Sequence, residues 1–421
     1  MVCAGRVVSY KALDAWSDAL CAELAARHVG PRDIVALPGP CDETWIARFL
    51  GILKAGAACA PISPSMPAER VDFIAHDIAS GTDADDSMIV YYTSGSTGAP
   101  KGVVLSRSGV SALCRAHVSL CALTCGTKAG VQADVGFDSF ALSTLPVLYA
   151  GGTLYLMNEA ERNSLVGVHR FLMKHRIDIT FLTTQFATAY MRAFDNPYLK
   201  TLLTGGEAIH SHTPRGYAVY NLYGPTECTV YVTAHKLRAD DEGDIPIGTP
   251  TGENRVMIED GELCVSGPQL ALGYLNQPEE TAMRFVPNPH YDPAVDAPHY
   301  ARMYRTGDCA QLDAHGALRY RGRRDNQVKI SGHRIEPGEV ESALMKHPDL
   351  ACVCVRANRT PAGEAFLTAY CAPQKIAPQI LKEFLARSLP AYMIPRHFVM
   401  MDELALDMRT GKVDLSALPN P

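Results

Sequence analysis

The sequence has no apolar run of membrane-spanning length. Its most apolar early segment, Trp45 to Ala60, is broken by Arg48 and Lys54, whereas a spanning helix needs about 20 consecutive apolar residues. A basic excess is also missing. Lys and Arg number 39 against 45 Asp and Glu, for a formal charge of −6, which excludes the positive field that nucleic-acid binding requires. Metal-ligand spacing is lacking too. The 13 cysteines are scattered, and the closest pairs, Cys352 with Cys354 and Cys121 with Cys125, have no histidine partners at zinc-site distance. They read as reduced, mostly buried small residues. The start, Met1 to Arg6, has no apolar signal core, so the expected compartment is the cytoplasm.

What is present is ordinary globular composition, 47% apolar and 20% charged, on a chain of 421 residues. That length is too great for one core, and two or more domains are expected. Helical spacing of Leu13, Trp16, Leu20 and Leu24 predicts a helix over 10–29, with Ser9 as N-cap and Gly30-Pro31 as stop. A strand at 34–37, a helix at 43–55 and a strand at 57–62 follow, and the polar stretch from Ser80 to Asp86 reads as a loop. Helices at 108–122, 139–148 and 165–174 and strands at 178–182 and 199–203 continue the alternation. The fold class is α/β: a large N-terminal domain, 1–323, of parallel-type sheets covered by helices, with a β-rich portion between Ile245 and Tyr320. After Arg323 the pattern changes to a small α+β domain, 324–421.

One stretch organises the reading. Tyr91-Tyr92-Thr93-Ser94-Gly95-Ser96-Thr97-Gly98-Ala99-Pro100-Lys101-Gly102 follows an apolar strand candidate and has the character of a phosphate-handling loop. Hydroxyls and backbone amides can converge on one polyanion because Gly95 and Gly98 tolerate positive φ and close approach, and Lys101 adds a point charge. The spacing is not that of a P-loop, since Gly98 lies three residues from Lys101 and Gly102 follows it.

Four further stretches accompany it in order: Asn221-Leu222-Tyr223-Gly224-Pro225-Thr226-Glu227, Tyr304-Arg305-Thr306-Gly307-Asp308, Gly322-Arg323-Arg324-Asp325-Asn326-Gln327, and Gly411-Lys412-Val413-Asp414. Together they are specific. The chain resembles the adenylate-forming superfamily of acyl-CoA synthetases and luciferases, and within it the adenylation domains of nonribosomal peptide synthetases, from about Val8 to Pro419. The chemistry this implies, attack of a carboxylate on the α-phosphorus of ATP, rests on positioning and neutralisation of charge. By resemblance Thr93, Ser94, Ser96, Thr97 and Lys101, with the loop glycines Gly95 and Gly98, hold the β- and γ-phosphates. Thr226 and Glu227 accompany them, with Glu227 ligating Mg²⁺. Tyr223 stacks on adenine, Asn221 bonds its edge, and Gly205, Gly206, Glu207 and Gly224 line the nucleotide. Asp308 accepts the ribose hydroxyls with Arg323 nearby, Lys412 is the catalytic cation, and Asp325 is the hinge.

Phe137-Asp138-Ser139 separates the subclasses. In amino-acid-activating members the aspartate at this place pairs with the substrate ammonium, and its competing role here is a cap on the helix at 139–148. Residue-by-residue matching gives a side-chain pocket of Ser139, Leu142, Phe181, Leu203, Gly205, Leu222, Val230 and Tyr231. No charge lines it, so a branched aliphatic amino acid is implied, with only about 1–3 kcal/mol separating homologues that differ by a methylene. The sequence departs from the family pattern in three places. Leu142 and Ser143 replace a common tryptophan and glutamate, Thr410 stands where asparagine is usual, and only 20 residues join Arg70 to the central loop. The implied reaction is aminoacyl-AMP formation followed by transfer to the phosphopantetheine of a peptidyl carrier protein supplied in trans, and the resemblance leaves room for a small accessory folding protein. The alternatives are an acyl- or aryl-CoA ligase and a shortened, non-catalytic family member.

Overall fold

The parallel strands form where the sequence runs apolar without alternation, as strands covered on both faces must. Ile179–Thr183 and Thr201–Gly205 are buried almost throughout and pair in parallel, with Leu203 opposite Phe181. They sit in a nine-stranded sheet whose order is Thr249–Pro250, Thr233–Lys236, Ala218–Tyr223, Thr201–Gly205, Ile179–Thr183, Lys128–Val131, Thr153–Leu156, Val2–Cys3 and Arg6–Val7. A second sheet orders Gly273–Tyr274, Lys101–Ser106, Ser87–Thr93, Ala58–Ile62 and Ile34–Pro38. The β-rich portion is a third sheet, built on the long strand Arg302–Leu312 with Leu318–Arg323 beside it. The structure, a computed structural model, describes residues 1–81, 86–95, 98–241, 243–330, 332–360, 364–373, 376–405, 413 and 415–419.

Capping follows the sequence closely. The Ser9 hydroxyl accepts the Ala12 amide at 3.2 Å and opens the helix Tyr10–Ala26. That helix stops short of Gly30, because His28 already takes left-handed backbone at φ 60°. The helix Ala68–Ser80 has no counterpart in the sequence reading, although Arg70 and Ile74 are buried one turn apart. All thirteen cysteines are free thiols, and Cys125 alone among them is exposed. Among the described residues no helix is long and apolar enough to cross a membrane.

The chain forms two compact units. The first comprises Met1–Pro64, Asp77–Tyr91 and Gly102–Arg324, and the second comprises Ser65–His76, Tyr92–Lys101 and Asp325–Pro421. The second has its own core around Val340, Leu344, Leu381 and Leu385. Its antiparallel strands Cys352–Arg359 and Ala365–Ala372 are joined by the parallel strand His397–Met400. In the first unit, the helix Asp138–Tyr149 is set by Phe140, whose ring meets Trp45 edge-on at 5.2 Å. Truncating such a buried ring typically costs about 3–5 kcal/mol, so Phe140 anchors the first turn of this helix in the core.

Candidate active site

Open parallel sheets bind ligands beyond the carboxyl ends of their strands, and in the first unit those ends are in register. Thr183 pairs with Gly205, and Gly205 with Leu222. The neighbouring strand Lys128–Val131 leads out from the same edge to Asp138. Gly205 is required by its neighbour, since a Cβ there would lie 2.4 Å from the Leu222 carbonyl oxygen. Gly206 takes φ 102°, a conformation open chiefly to glycine.

Asp138 is the first residue of its helix, one position earlier than the sequence predicts, and the cap position belongs to Phe137, which makes no side-chain capping bond. The capping role for Asp138 is therefore not the one it takes. Its carboxylate accepts the Thr226 hydroxyl at 2.6 Å, which brings two separated motifs together. Next to Thr226, Glu227 is fully buried, and its Oε1 accepts the Tyr274 hydroxyl at 2.8 Å.

Asp308 sits in a second constellation of the same unit. It is paired across the sheet with Arg323, whose guanidinium donates to Asp308 Oδ1 at 2.5 Å and to the Thr306 carbonyl at 3.1 Å. The Tyr223 hydroxyl donates to Asp308 Oδ2. Burial, and then the Asp308 charge, push the Tyr223 phenol well above its ordinary pKa, so it stays a donor. The turn carrying Asp308 is braced by Glu262, which accepts the Gly307 amide at 2.9 Å and Arg305 at 2.6 Å. Sequence reasoning missed Glu262, because a glutamate after a glycine at a strand start carries no distinguishing signal. It missed Tyr274 for the same reason.

Several of the residues expected at the nucleotide have partners within the chain. The Asn221 amide donates to the Pro246 carbonyl at 2.9 Å, which fixes the plane of the carboxamide. Gly224 makes room for its own chain, since a Cβ would lie 2.4 Å from Tyr231 Cα. The Glu207 carboxylate accepts Gln185 at 3.1 Å.

Of the pocket residues, Leu142, Phe181, Leu203, Leu222 and Tyr231 belong to one buried core, with Val230 packed against it. Ser139 is half-buried at the helix start. The Tyr231 hydroxyl meets His117 Nδ1 at 3.0 Å, a partner that no motif suggested. Burial pushes the His117 imidazole down from 6.5 to about 4. The unfolded chain then binds the extra proton first, so this contribution is intact above about pH 6.5 and is lost as the pH falls toward 4. The difference corresponds to on the order of 3 kcal/mol. In thermal melts, His117→Asn is expected to lie below wild type at pH 7 and to close that gap at pH 4.5. A gap independent of pH would refute the assignment.

The glycine-rich loop lies in the second unit. Gly98 has φ 84°, as predicted, and a Cβ on it would clash with Ser342 Oγ at 2.4 Å. Gly95 does not take positive φ and uses the other freedom expected of a glycine there. It is needed for close approach, because the Ala99 carbonyl oxygen lies 1.9 Å from where its Cβ would be. Its amide faces an anion supplied by the chain, Glu339 Oε2, at 3.3 Å. Glu339 is in turn paired with Arg70 at 2.7 Å, both being nearly fully buried. The Ser94 hydroxyl, expected to face phosphate, donates to the Arg334 carbonyl at 2.8 Å, because residues 92–101 pack within this unit. Lys101 is 2% exposed. Asp325 opens the unit's last segment and accepts the Gln327 amide at 3.2 Å. Ser96, Thr97 and Lys412 lie outside the described residues.

Four buried hydroxyls have no hydrogen-bond partner among the described residues, those of Tyr91, Thr204 and Tyr217 in the first unit and Thr93 Oγ1 in the second. Such a donor carries a penalty of about 1–3 kcal/mol until an acceptor arrives, which suits the role predicted for Thr93. No cluster of three or more metal-ligating side chains is present among the described residues. A divalent ion held by Glu227 would take most of its oxygen ligands from bound phosphate and water, the usual mode for Mg²⁺.

Residues 1–82 and 76–275 match the AMP-binding enzyme family, and 339–412 match the AMP-binding enzyme C-terminal domain. The chain belongs to the AMP-binding enzyme family and thus to the adenylate-forming superfamily. Bacitracin synthase 1 of Bacillus licheniformis is 34% identical over 98% of the chain, and surfactin synthase subunit 2 of Bacillus subtilis 32% over 99%. The chain spans only 9% and 13% of the lengths of those two relatives. A four-domain nonribosomal peptide synthetase bound to AMP and glycine is 27% identical with a TM-score of 0.68, covering 100% of this chain and 35% of that one. The adenylation domain of Vibrio cholerae in complex with glycyl-adenosine-5′-phosphate shares the fold, with a TM-score of 0.83 at 19% identity over 99% of this chain and 93% of that one.

Proposed function

We propose that the chain activates an amino acid with a branched aliphatic side chain as its aminoacyl-AMP. In this reading a substrate carboxylate oxygen bonds to the α-phosphorus of ATP as the bond to the β-phosphate bridge breaks, and pyrophosphate leaves. A phosphopantetheine thiol on a carrier protein then attacks the acyl carbon, losing its proton as AMP departs. The observation that carries the proposal is Asp138 with its carboxylate held by Thr226 at 2.6 Å, at the head of a helix whose next turns join the apolar core. That is a fixed anion for an ammonium beside a wall suited to an aliphatic side chain. Asp308 and Arg323 would hold the ribose, Tyr223 and Asn221 the adenine, and Thr93, Ser94, Gly95, Gly98 and Lys101 the leaving phosphates. Mg²⁺ on Glu227 would neutralise phosphate charge. Lys412 would balance the developing charge at the α-phosphate, and rotation at Asp325 would exchange it for the thiol step. The setting is cytoplasmic, with the carrier and any accessory folding protein as partners.

The test is ATP–pyrophosphate exchange across the twenty amino acids and a panel of simple carboxylic acids. Exchange is expected with isoleucine, valine or leucine, and its loss in Lys412→Ala. Exchange with deaminated acids alone would instead favour an acyl- or aryl-CoA ligase.

A further inference from the structure

Two consecutive residues that are not glycine, Thr229 and Val230, take left-handed backbone, with φ 51° and 75°. For β-branched residues this conformation is a true outlier. The local sequence offers no asparagine, aspartate or glycine at either position to ease it, so the turn must be held from outside. Gln269, 1% exposed, is the side chain that reaches it. Its Nε2 donates to the Tyr231 carbonyl at 2.9 Å and to the Thr229 carbonyl at 3.2 Å, with the Cys228 carbonyl at 3.5 Å. Its Oε1 accepts Asn254 Nδ2 at 2.7 Å, and Asn254 is itself tied to the Thr251 carbonyl at 3.0 Å. With the oxygen taken by a donor, the nitrogen must face the turn. The grip is mutual. The Thr229 hydroxyl donates to the Gln269 carbonyl at 2.6 Å, and the Ala271 amide to the Glu227 carbonyl at 2.8 Å.

We infer that Gln269 is a positioning residue for the side-chain pocket: by holding the left-handed Thr229–Val230 turn it fixes where Val230 and Tyr231 stand, and through them which aliphatic side chain is accepted. This rests on the pocket proposed above. Asp138, Thr226 and Asp308 make their hydrogen bonds without Gln269, so nucleotide binding is separable from its role.

Gln269→Leu keeps the volume and removes every side-chain hydrogen bond. It is expected to raise the KM for the preferred amino acid about tenfold or more, the effect of losing one or two buried hydrogen bonds, and to blunt the preference among valine, leucine and isoleucine. KM for ATP should stay within about twofold. Thr229→Gly, which relieves the left-handed strain, should restore much of the lost amino-acid affinity in the Gln269→Leu background. Gln269→Glu, which cannot donate to the turn, serves if the leucine variant does not accumulate. Melting temperatures of wild type, both single variants and the double variant give a readout independent of activity: the effect of Thr229→Gly should differ between the wild-type and Gln269→Leu backgrounds. An unchanged amino-acid KM and preference in an active Gln269→Leu enzyme would overturn the inference, as would equal melting effects of Thr229→Gly in both backgrounds. A wild type without amino-acid-dependent exchange would sink the proposed function alone, and the melting cycle would still decide whether Gln269 holds the turn.

Discussion

Replacing Asp138 by alanine is expected to lower kcat/KM for amino-acid-dependent exchange by on the order of 100-fold or more, the range for removing one member of a desolvated charge pair. Two effects combine. The substrate ammonium loses its counter-ion, and the Thr226 hydroxyl, which now donates to the carboxylate at 2.6 Å, loses its acceptor beside Glu227. Asp138→Asn separates them, because its amide oxygen can still accept from Thr226 while the charge is gone. If the ammonium pairing dominates, the asparagine variant should be nearly as impaired as alanine, with KM for ATP little changed in both. Retention of most of the activity in Asp138→Asn would assign the residue to support of Thr226. Activity equal to wild type in both, with deaminated acids accepted as readily, would remove the basis for calling the substrate an amino acid.

The second large effect is expected at Asp308. Its two oxygens serve different partners, Arg323 on Oδ1 and Tyr223 on Oδ2, and a carboxylate retains lone pairs for a diol. A site built to bond hydroxyls rejects an analogue that lacks them far more strongly than an apolar site rejects a missing methylene. Wild type should therefore prefer ATP over 2′,3′-dideoxy-ATP by on the order of 100-fold, and Asp308→Ala should reduce that ratio to below about tenfold. Removing Asp308 also leaves the Arg323 guanidinium, whose side chain is 8% exposed, without its carboxylate. Breaking a buried pair in this way costs about 3–5 kcal/mol, so the discrimination ratio, which cancels any loss of folded enzyme, is the quantity to measure. An unchanged ratio would move the ribose elsewhere.

Much of this was legible because the signals are local. The Ser9 cap and the strands read at 178–182 and 199–203, found at Ile179–Thr183 and Thr201–Gly205, each follow from a few neighbouring residues. Asp138 stands apart from these, since it was marked by the resemblance of Phe137-Asp138-Ser139 to amino-acid-activating relatives, and its place before an apolar helix pointed only to a cap. What could not be read depends on atoms far apart in the chain. Gln269 acts on main-chain carbonyls 38 to 41 residues away, and carbonyls have no sequence signature. His117 meets Tyr231 across 114 residues, so the tyrosine was read as pocket wall without the imidazole that orients it. Ser94 and Gly95 were assigned to phosphate by loop chemistry and by resemblance, and neither says that Arg334 and Glu339 of the same chain offer them partners. Composition could not foresee the helix Ala68–Ser80 either, because the acidic stretch that follows it dominates the local impression.

The chain changes from one compact unit to the other at five points, after Pro64, His76, Tyr91, Lys101 and Arg324. A module that could be lifted out with one cut would have a single crossing. Here an exchange of residues 325–421 between relatives would graft a Glu339 without the Arg70 it is buried with and a helix, Pro337–Leu344, without the Gly98 loop that fits Ser342. Portable segments for recombination in this protein are therefore discontinuous, and residues 65–76 and 92–101 travel with the C-terminal portion as its inherited cargo.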